Sequence, residues 1–294
     1  MIVRIQPDES LHSYIERNLH LNWRNPTVEL FESLSRFSLS SMDLRKITAH
    51  MGWPGCYGFN RLLHRHTRYP TRAVFKNGQE LSYSHSEYLG GGGGYGTDWS
   101  GETYCPQCVK EDLQKLGFSY WRRKMCYDLE VCATHNMLLI DTCPNCQQPF
   151  SCEGHNLSVM WRMCEGVHLS ECPSQKNEDP QKLKKARFYA DLASLDLSIP
   201  VDAALNVLKL KIALVQQSGS SSYEMLERLK NDVDRAFLYD VTEPLIEAVL
   251  ELYDSLGQFV EEVVALGYGV RRVETLWATY RAGGRNSAHY VEET

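Results

Sequence analysis

The chain has 294 residues and a formal net charge of −6, and its 43 % hydrophobic and 23 % charged residues are typical of a globular protein rather than a disordered one. No apolar run approaches the ~20 residues that a membrane helix needs. The first residues lack the apolar core of a secretory signal, so we expect a cytoplasmic protein. A sequence isoelectric point near 5.9 argues against one uniformly basic nucleic-acid-binding surface.

Charge is distributed unevenly along the chain. Residues 1–80 carry 11 basic and 7 acidic side chains, whereas residues 196–270 carry 5 basic and 13 acidic ones. We therefore expect the two ends to have different partners, although a solvated acidic helix face would give the same imbalance.

The N-terminal part is predicted to be a small bundle of short helices. Asp8 is positioned to cap the first helix, and Ser40 or Ser41 to cap a later one that must end at Gly52-Trp53-Pro54-Gly55. A further helix is predicted over residues 57–66, where the apolar residues fall on one face.

The two helices on either side of this break are typical of a helix-turn-helix. The second of them presents Arg61 and Arg65, and the basic run continues through Arg68, with no acidic residue between positions 61 and 76. Such side chains could neutralise phosphates or an acidic protein surface. The alternative is an ordinary helical hairpin with a solvated basic face.

Five consecutive glycines, Gly90 to Gly94, follow this region. No Lys-Ser or Lys-Thr follows them to build a phosphate-binding loop, so we interpret them as a flexible linker. The predicted organisation is an N-terminal helical domain over 1–89, a glycine-rich linker over 90–100, a zinc-finger module over 101–178 and a C-terminal helical domain over 179–294.

Nine of the ten cysteines lie between Cys105 and Cys172. In a reducing cytosol such close pairs are metal ligands more often than disulfides. The chain contains two CPxC turns and one CxxH turn, and a tetrahedral zinc site takes four ligands from two such turns. We predict that the first site is formed by Cys105, Cys108, Cys132 and His135.

The second CPxC turn, Cys143 and Cys146, needs two later ligands. Cys164 and Cys172 are the natural candidates. The alternatives that the spacing leaves open are Cys152, His155 and His168. Four protein ligands leave no open position for water, so both zinc ions are predicted to be structural.

One pattern points to an enzyme instead. His85-Ser-Glu87 followed by Cys105 and Cys108 is similar to the HxE…PCxxC signature of zinc deaminases. However, Tyr104 rather than proline precedes the first cysteine, and the pentaglycine occupies the spacer. A zinc-dependent nucleobase deaminase is therefore only a distant alternative.

Beyond residue 180 the chain is predicted to be helical again, over 181–194, 202–216, 223–238, 243–265 and 271–281. The long segment 243–265 has one apolar face, which we interpret as core, with a dimer or partner surface as the alternative.

Two further basic stretches are candidates for binding nucleic acid or a partner. Residues 259–269 lead into Arg271 and Arg272, a second helix-turn-helix candidate whose second helix begins with basic residues; a terminal helical hairpin explains the pattern equally well. Arg122 and Arg123 beside Trp121 are the other stretch. We expect Trp121 to pack over the zinc site while the basic side chains lie exposed.

Several of these elements recur together in a known family. They are Tyr104-Cys105-Pro106-x-Cys108, Tyr120-Trp121-Arg122, Cys132-x-x-His135 followed by Leu138 or Leu139, and Cys143-Pro144-x-Cys146, with the opening Pro7-x-Glu9-Ser10-Leu11-x-Ser13-Tyr14-x-x-Arg17. Together they resemble the TniQ/TnsD proteins, target-selection components of Tn-seven-type transposons, including CRISPR-associated ones. The resemblance covers residues 5–150 well. Met125 departs from it, standing where the family often has a second tryptophan.

The resemblance implies a non-enzymatic role. Family members connect target recognition to an AAA+ ATPase regulator, which engages the transposase; some bind an attachment site directly, and others sit as a dimer on an RNA-guided CRISPR effector. The short, acidic chain favours the adaptor role, with autonomous sequence-specific DNA binding as the alternative. The expected fold is mainly α, with helical domains around a small central zinc-binding module.

Overall fold

The computed structural model describes residues 3–22, 38–53, 55–76, 83–84, 87–90, 94–96, 101–151, 154–219, 223–239 and 242–272. The chain is mainly helical over these residues, which confirms the predicted fold class. The helices are α1 (Leu11–Asn22), α2 (Ser41–His50), α3 (Gly55–His66), α4 (Tyr69–Ala73), α5 (Glu87–Gly90), α6 (Pro106–Leu116), α7 (Pro180–Ser194), α8 (Val201–Ser218), α9 (Tyr223–Tyr239), α10 (Glu243–Leu252) and α11 (Leu256–Ala265).

The strands are short. They are β1 (Ser38–Leu39), β2 (Phe75–Lys76), β3 (Tyr95–Gly96), β4 (Leu197–Pro200) and β5 (Arg271–Arg272). β1 pairs with β3 in antiparallel fashion, while β4 lies between a parallel β2 and an antiparallel β5. Among the described helices, none combines the length and the apolarity needed to cross a membrane.

The chain divides into two compact units. The first contains residues 1–68 and 87–186, and the second contains residues 69–86 and 187–294. Residues 69–76 therefore pack with the C-terminal helices, because β2 pairs with β4 and α4 packs on α10. The predicted zinc module, residues 101–178, lies within the first unit.

In the first unit, α2 and α3 form a helical pair across a tight turn. Ser40 begins α2 through a capping box with Asp43, in agreement with the predicted start. The turn then folds back so closely that a Cβ at Gly58 would lie 1.9 Å from the carbonyl oxygen of Trp53. Only glycine fits there, and the close approach buries Leu44 and Phe59 completely between the two helices.

α1 is hydrogen-bonded to a segment more than 100 residues away. The amide of Ser10 donates to the carbonyl of Trp121 (2.9 Å), and the amide of Trp121 donates to Ser13 Oγ (3.1 Å). Ser10, rather than the predicted Asp8, caps the helix, since its Oγ accepts from the amide of Ser13 (3.0 Å). Asp8 instead adopts a left-handed conformation (φ 56°), and its carbonyl accepts from the amide of Arg123 (2.8 Å).

The second unit is built around α8, which packs against α9, α10 and α11. Its central apolar residues, including Val207, Leu208, Val249 and Phe259, are fully buried. These residues account for the helical periodicity of the C-terminal sequence, and the apolar stripe of 243–265 contributes to this core.

Two sequence predictions for the second unit were wrong. The predicted single helix over 243–265 is two helices, because Tyr253 is extended and Ser255 caps a new helix by accepting from the amide of Gln258. Arg271 and Arg272 do not begin a helix; they form β5, opposite Ser198 and Leu197 of β4. Residues 273–281 of that predicted helix lie outside the described residues.

Candidate metal centres

The first cluster joins a helix start to a tight turn. Pro106 opens α6, so that Cys105 precedes the helix and Cys108 lies in its first turn. Cys132 and His135 lie on a turn in which the amide of Asn136 donates to the carbonyl of Cys132 (2.9 Å). The structure thus brings together the four residues that the spacing predicts.

The four donor atoms of this cluster all lie within 4.8 Å of one another. Nδ1 of His135 lies 3.6, 3.3 and 3.6 Å from the sulfurs of Cys105, Cys108 and Cys132, and the last two sulfurs are 3.7 Å apart. Ligands bound ~2.0–2.3 Å from one zinc ion lie about 3.6–3.8 Å from one another. These four distances are close to those of a tetrahedral zinc site.

The thiols of the first cluster also perturb one another. Hydrogen bonds with Cys105 and Cys132 raise the pKa of Cys108, and hydrogen bonds from Cys105 and Cys108 lower the pKa of Cys132. All three side chains are buried. Three thiolates this close repel one another in a site of low dielectric, and a divalent cation removes that repulsion.

The second cluster is built on a turn of the same geometry. The amide of Gln147 donates to the carbonyl of Cys143 (2.9 Å), and Gln147 is left-handed (φ 62°), as is the equivalent Asn136 (φ 53°). The side-chain amide of Asn145 then donates to the carbonyl of Cys164 (3.1 Å), which holds the Cys164 turn against this one.

His155, rather than Cys172, is the fourth member of the second cluster. The residues that come together are Cys143, Cys146, His155 and Cys164. Nε2 of His155 lies 3.0 Å from the sulfur of Cys146 and 3.4 Å from that of Cys164. Burial and hydrogen bonds with Cys146 and Cys143 raise the pKa of Cys164 to about 12.

The other candidate ligands lie elsewhere or outside the described residues. Cys172 is buried in the apolar core beside Tyr104, where its sulfur is 3.8 Å from the carbonyl oxygen of His168. His168 is bonded through its ring to Ser170 and to the carbonyl of Met160. Cys152 lies outside the described residues. Sequence spacing left His155 open only as an alternative, because a histidine nine residues after Cys146 matches no short two-ligand motif.

Trp121 packs next to the second cluster. Its ring lies 5.3 Å from that of Phe150, and both are fully buried in the core that contains Cys143. The expectation that the neighbouring basic side chains are exposed was wrong. Arg122 forms a bidentate ion pair with Asp112, with both hydrogen bonds at 2.9 Å. The side chain of Arg123 is only 5 % exposed and pairs with Asp8 at 3.1 Å.

The basic candidates of the helical pair have aromatic neighbours. The guanidinium of Arg61 lies 4.0 Å from the ring centre of Trp53, and that of Arg68 lies 3.7 Å from the ring of Tyr127. Arg65 is exposed on α3, four residues beyond Arg61 and on the same face. The α3 face is defined here as Arg61, Arg65 and the ring of Trp53.

The deaminase pattern does not assemble over the described residues. Cys105 and Cys108 meet Cys132 and His135, and Glu87 accepts a hydrogen bond from the hydroxyl of Tyr95. His85 lies outside the described residues.

Comparison with known protein families matches residues 1–139 to TniQ. This range includes α1, the α3 face and all four residues of the first cluster, and it ends before the second cluster begins. Comparison with curated proteins finds no match.

Proposed function

Because the chain belongs to the TniQ family, whose members have a role in transposition target selection, we propose that it is a non-enzymatic adaptor of the cytoplasm. In this role it links a target-recognition complex, in particular an RNA-guided CRISPR effector, to the AAA+ ATPase regulator of the transposase. The observation that carries the proposal is the TniQ match over residues 1–139 together with the complete first cluster inside that range.

The two clusters are proposed zinc sites with a structural role. Each offers four donors within 4.8 Å of one another, three sulfurs and one imidazole nitrogen, which is a common structural zinc set. Zinc bound there supplies folding free energy to the central part of the chain. With all four positions held by protein side chains, no position is left for a reacting water, which supports the non-enzymatic assignment.

The α3 face is the proposed contact with nucleic acid or with an acidic partner. Arg61 and Arg65 lie on it, and the described part of the chain places no carboxylate on α3. Arg122 and Arg123 are already neutralised by Asp112 and Asp8. Two arginines on one helix face support a docking contact rather than an extended DNA-reading surface, which neutralises many phosphates.

Co-purification distinguishes the adaptor from an autonomous DNA-binding selector. The tagged chain is expressed with the candidate effector and the ATPase, and its DNA binding is measured alone at several salt concentrations. We expect co-purification with at least one of them and weak, sequence-independent binding to free DNA. Tight binding of the chain alone to one DNA sequence, with neither protein retained, would instead establish the autonomous selector.

Charge reversal on the α3 face tests the contact itself. Arg61→Glu with Arg65→Glu should weaken retention of the partner at least tenfold, because two attractive charges become repulsive. Arg187→Glu is the matched control, since Arg187 is exposed on α7 in the other unit. Equal retention of both variants would remove the α3 face from the proposal.

A further inference from the structure

The imidazole of His135 makes two different contacts through its two nitrogens. Nδ1 points at the three sulfurs of the first cluster, at 3.3–3.6 Å. Nε2, on the opposite side of the ring, lies 2.9 Å from Oε1 of Glu111. A carboxylate in this position accepts a hydrogen bond from the nitrogen that does not bind metal.

The helix that begins the first cluster also places this carboxylate. Cys108 and Glu111 are three residues apart on α6, so their side chains project from the same face of the helix. The next carboxylate, Asp112, is engaged by Arg122 and Ser119. Glu111 is therefore the α6 carboxylate that faces His135, and its other oxygen lies 3.7 Å from Lys115.

The hydrogen bond between His135 and Glu111 selects one tautomer of the imidazole. A neutral histidine carries its proton on one nitrogen only, and a metal ligand must bind through the other. With the proton held on Nε2 by Glu111, Nδ1 presents its lone pair to the sulfurs. The hydrogen bond also fixes the ring orientation and increases the basicity of the ligating nitrogen.

The histidine of the second cluster is held differently. His155 presents Nε2 to the sulfurs, its ring stacks on Phe150 at 6.3 Å, and its backbone amide donates to the carbonyl of Pro149 (2.8 Å). Its orientation comes from packing and the backbone, without a carboxylate among the contacts that the structure describes. The chain thus contains two sites with the same donor types and different support for the histidine.

We propose that Glu111 is a positioning residue of the first cluster: it fixes the tautomer and orientation of His135 and so strengthens metal binding there, while leaving the second cluster unaffected. This inference rests on the proposed metal binding. Removal of an outer carboxylate of this kind weakens metal affinity by ~10–100-fold.

The experiment compares Glu111→Ala, Glu111→Gln and the control Glu130→Ala in the full chain loaded with zinc. Glu130 is an exposed carboxylate of the same unit that pairs with Lys182. Zinc release to a graded series of chelator concentrations gives the affinity of each site. Long-range proton–nitrogen spectra of the histidine rings separate the sites, because one binds through Nδ1 and the other through Nε2.

For Glu111→Ala we expect one of two zinc ions to be released at a ~10–100-fold lower chelator strength, with broadened or mixed His135 tautomer signals and unchanged His155 signals. Glu111→Gln, which keeps an acceptor oxygen, should recover part of the affinity, and Glu130→Ala should match the wild type. If Glu111→Ala releases zinc as the wild type does, or if both sites are weakened equally, the role of Glu111 is wrong while the proposed metal sites stand. A wild-type chain that binds no zinc overturns the proposed metal sites as well.

Discussion

A buried ion pair explains the charged residues of the N-terminal motif. Arg17 Nε and an outer nitrogen bind the two oxygens of Glu9 at 2.9 and 2.7 Å, and neither side chain is more than 1 % exposed. Ser13 and the amide of Gln6 also donate to Glu9. Burial raises the pKa of the Glu9 carboxyl against the opposing effect of Arg17. A pair so fully bonded fixes the N-terminal segment to α1.

Breaking this ion pair should strongly lower the free energy of unfolding. Arg17→Met leaves a buried carboxylate without its counter-charge, and we expect it to lower the free energy of unfolding by about 3–5 kcal/mol in urea titrations. Arg65→Met, at an exposed position, should change it by less than about 0.5 kcal/mol. Equal stability of the two variants would show that the pair is not essential to the fold.

His66 makes stability depend on pH. Burial, together with a smaller contribution from the nearby Arg123, lowers its pKa to about 4, although its Nδ1 donates to the carbonyl of Glu9 at 3.0 Å. The folded state therefore binds fewer protons than the unfolded state, in which the pKa is about 6.5. The stabilisation is complete above pH 6.5 and is lost as the pH falls toward 4.

Between pH 7.5 and 5.0 this effect should lower the unfolding free energy of the wild type by about 2 kcal/mol relative to His66→Gln, which can keep the bond to Glu9. Urea titrations of both proteins across this range measure the difference. Both share every metal ligand and every other titratable group, so their difference isolates His66. Parallel pH profiles would contradict the buried, neutral histidine.

At the scale of elements, local signals predicted most helices. The start of α2 corresponds to the predicted cap at Ser40, and the change from α2 to α3 corresponds to the break at Gly52-Trp53-Pro54-Gly55. The apolar periodicities of the C-terminal segments correspond to α7–α9. The break at residues 253–255 was missed because the apolar stripe continues in phase on both sides of it. β5 was missed because it has only two residues and forms by pairing with β4. Periodicity within a short stretch of sequence does not predict such a long-range contact.

The candidate metal ligands likewise fall into two groups, those that sequence spacing predicts and those that depend on the tertiary fold. Cys105, Cys108, Cys132 and His135 lie in short two-ligand motifs, so spacing alone predicted that they come together. Cys164 and His155 join the second cluster through a turn and a stacked ring that depend on the fold. Cys172 has the right spacing for a ligand, but tertiary packing places it beside Tyr104.

Gly58 tests the turn between α2 and α3. Gly58→Ala should lower the melting temperature by several degrees, because a Cβ would lie 1.9 Å from a backbone oxygen that cannot move aside easily. Gly257→Ala is the control, since its nearest neighbour is the Ser255 hydroxyl at 3.7 Å and α11 is a helix. Loss of stability in Gly257→Ala alone would contradict this account of the turn.

At the scale of the whole molecule, the net charge of −6 is an average over a basic N-terminal region and an acidic C-terminal one. Segment 69–76 belongs to the basic N-terminal region of the sequence but packs in the second unit through β2. The first unit carries 19 basic and 19 acidic side chains, whereas the second carries 12 basic and 18 acidic ones. Units of different charge are expected of a protein that binds two different partners, as the proposed adaptor would.

Two Cys₃His clusters are proposed to hold the middle of the chain together. Elemental analysis of protein purified without added zinc tests this proposal most directly, on the wild type, Cys132→Ser, Cys164→Ser and Cys172→Ser. We predict about two zinc ions in the wild type and in Cys172→Ser, and at most about one in the other two, with a lower melting temperature. Fewer than one zinc ion in the wild type, or loss of zinc from Cys172→Ser but not from Cys164→Ser, would contradict the account.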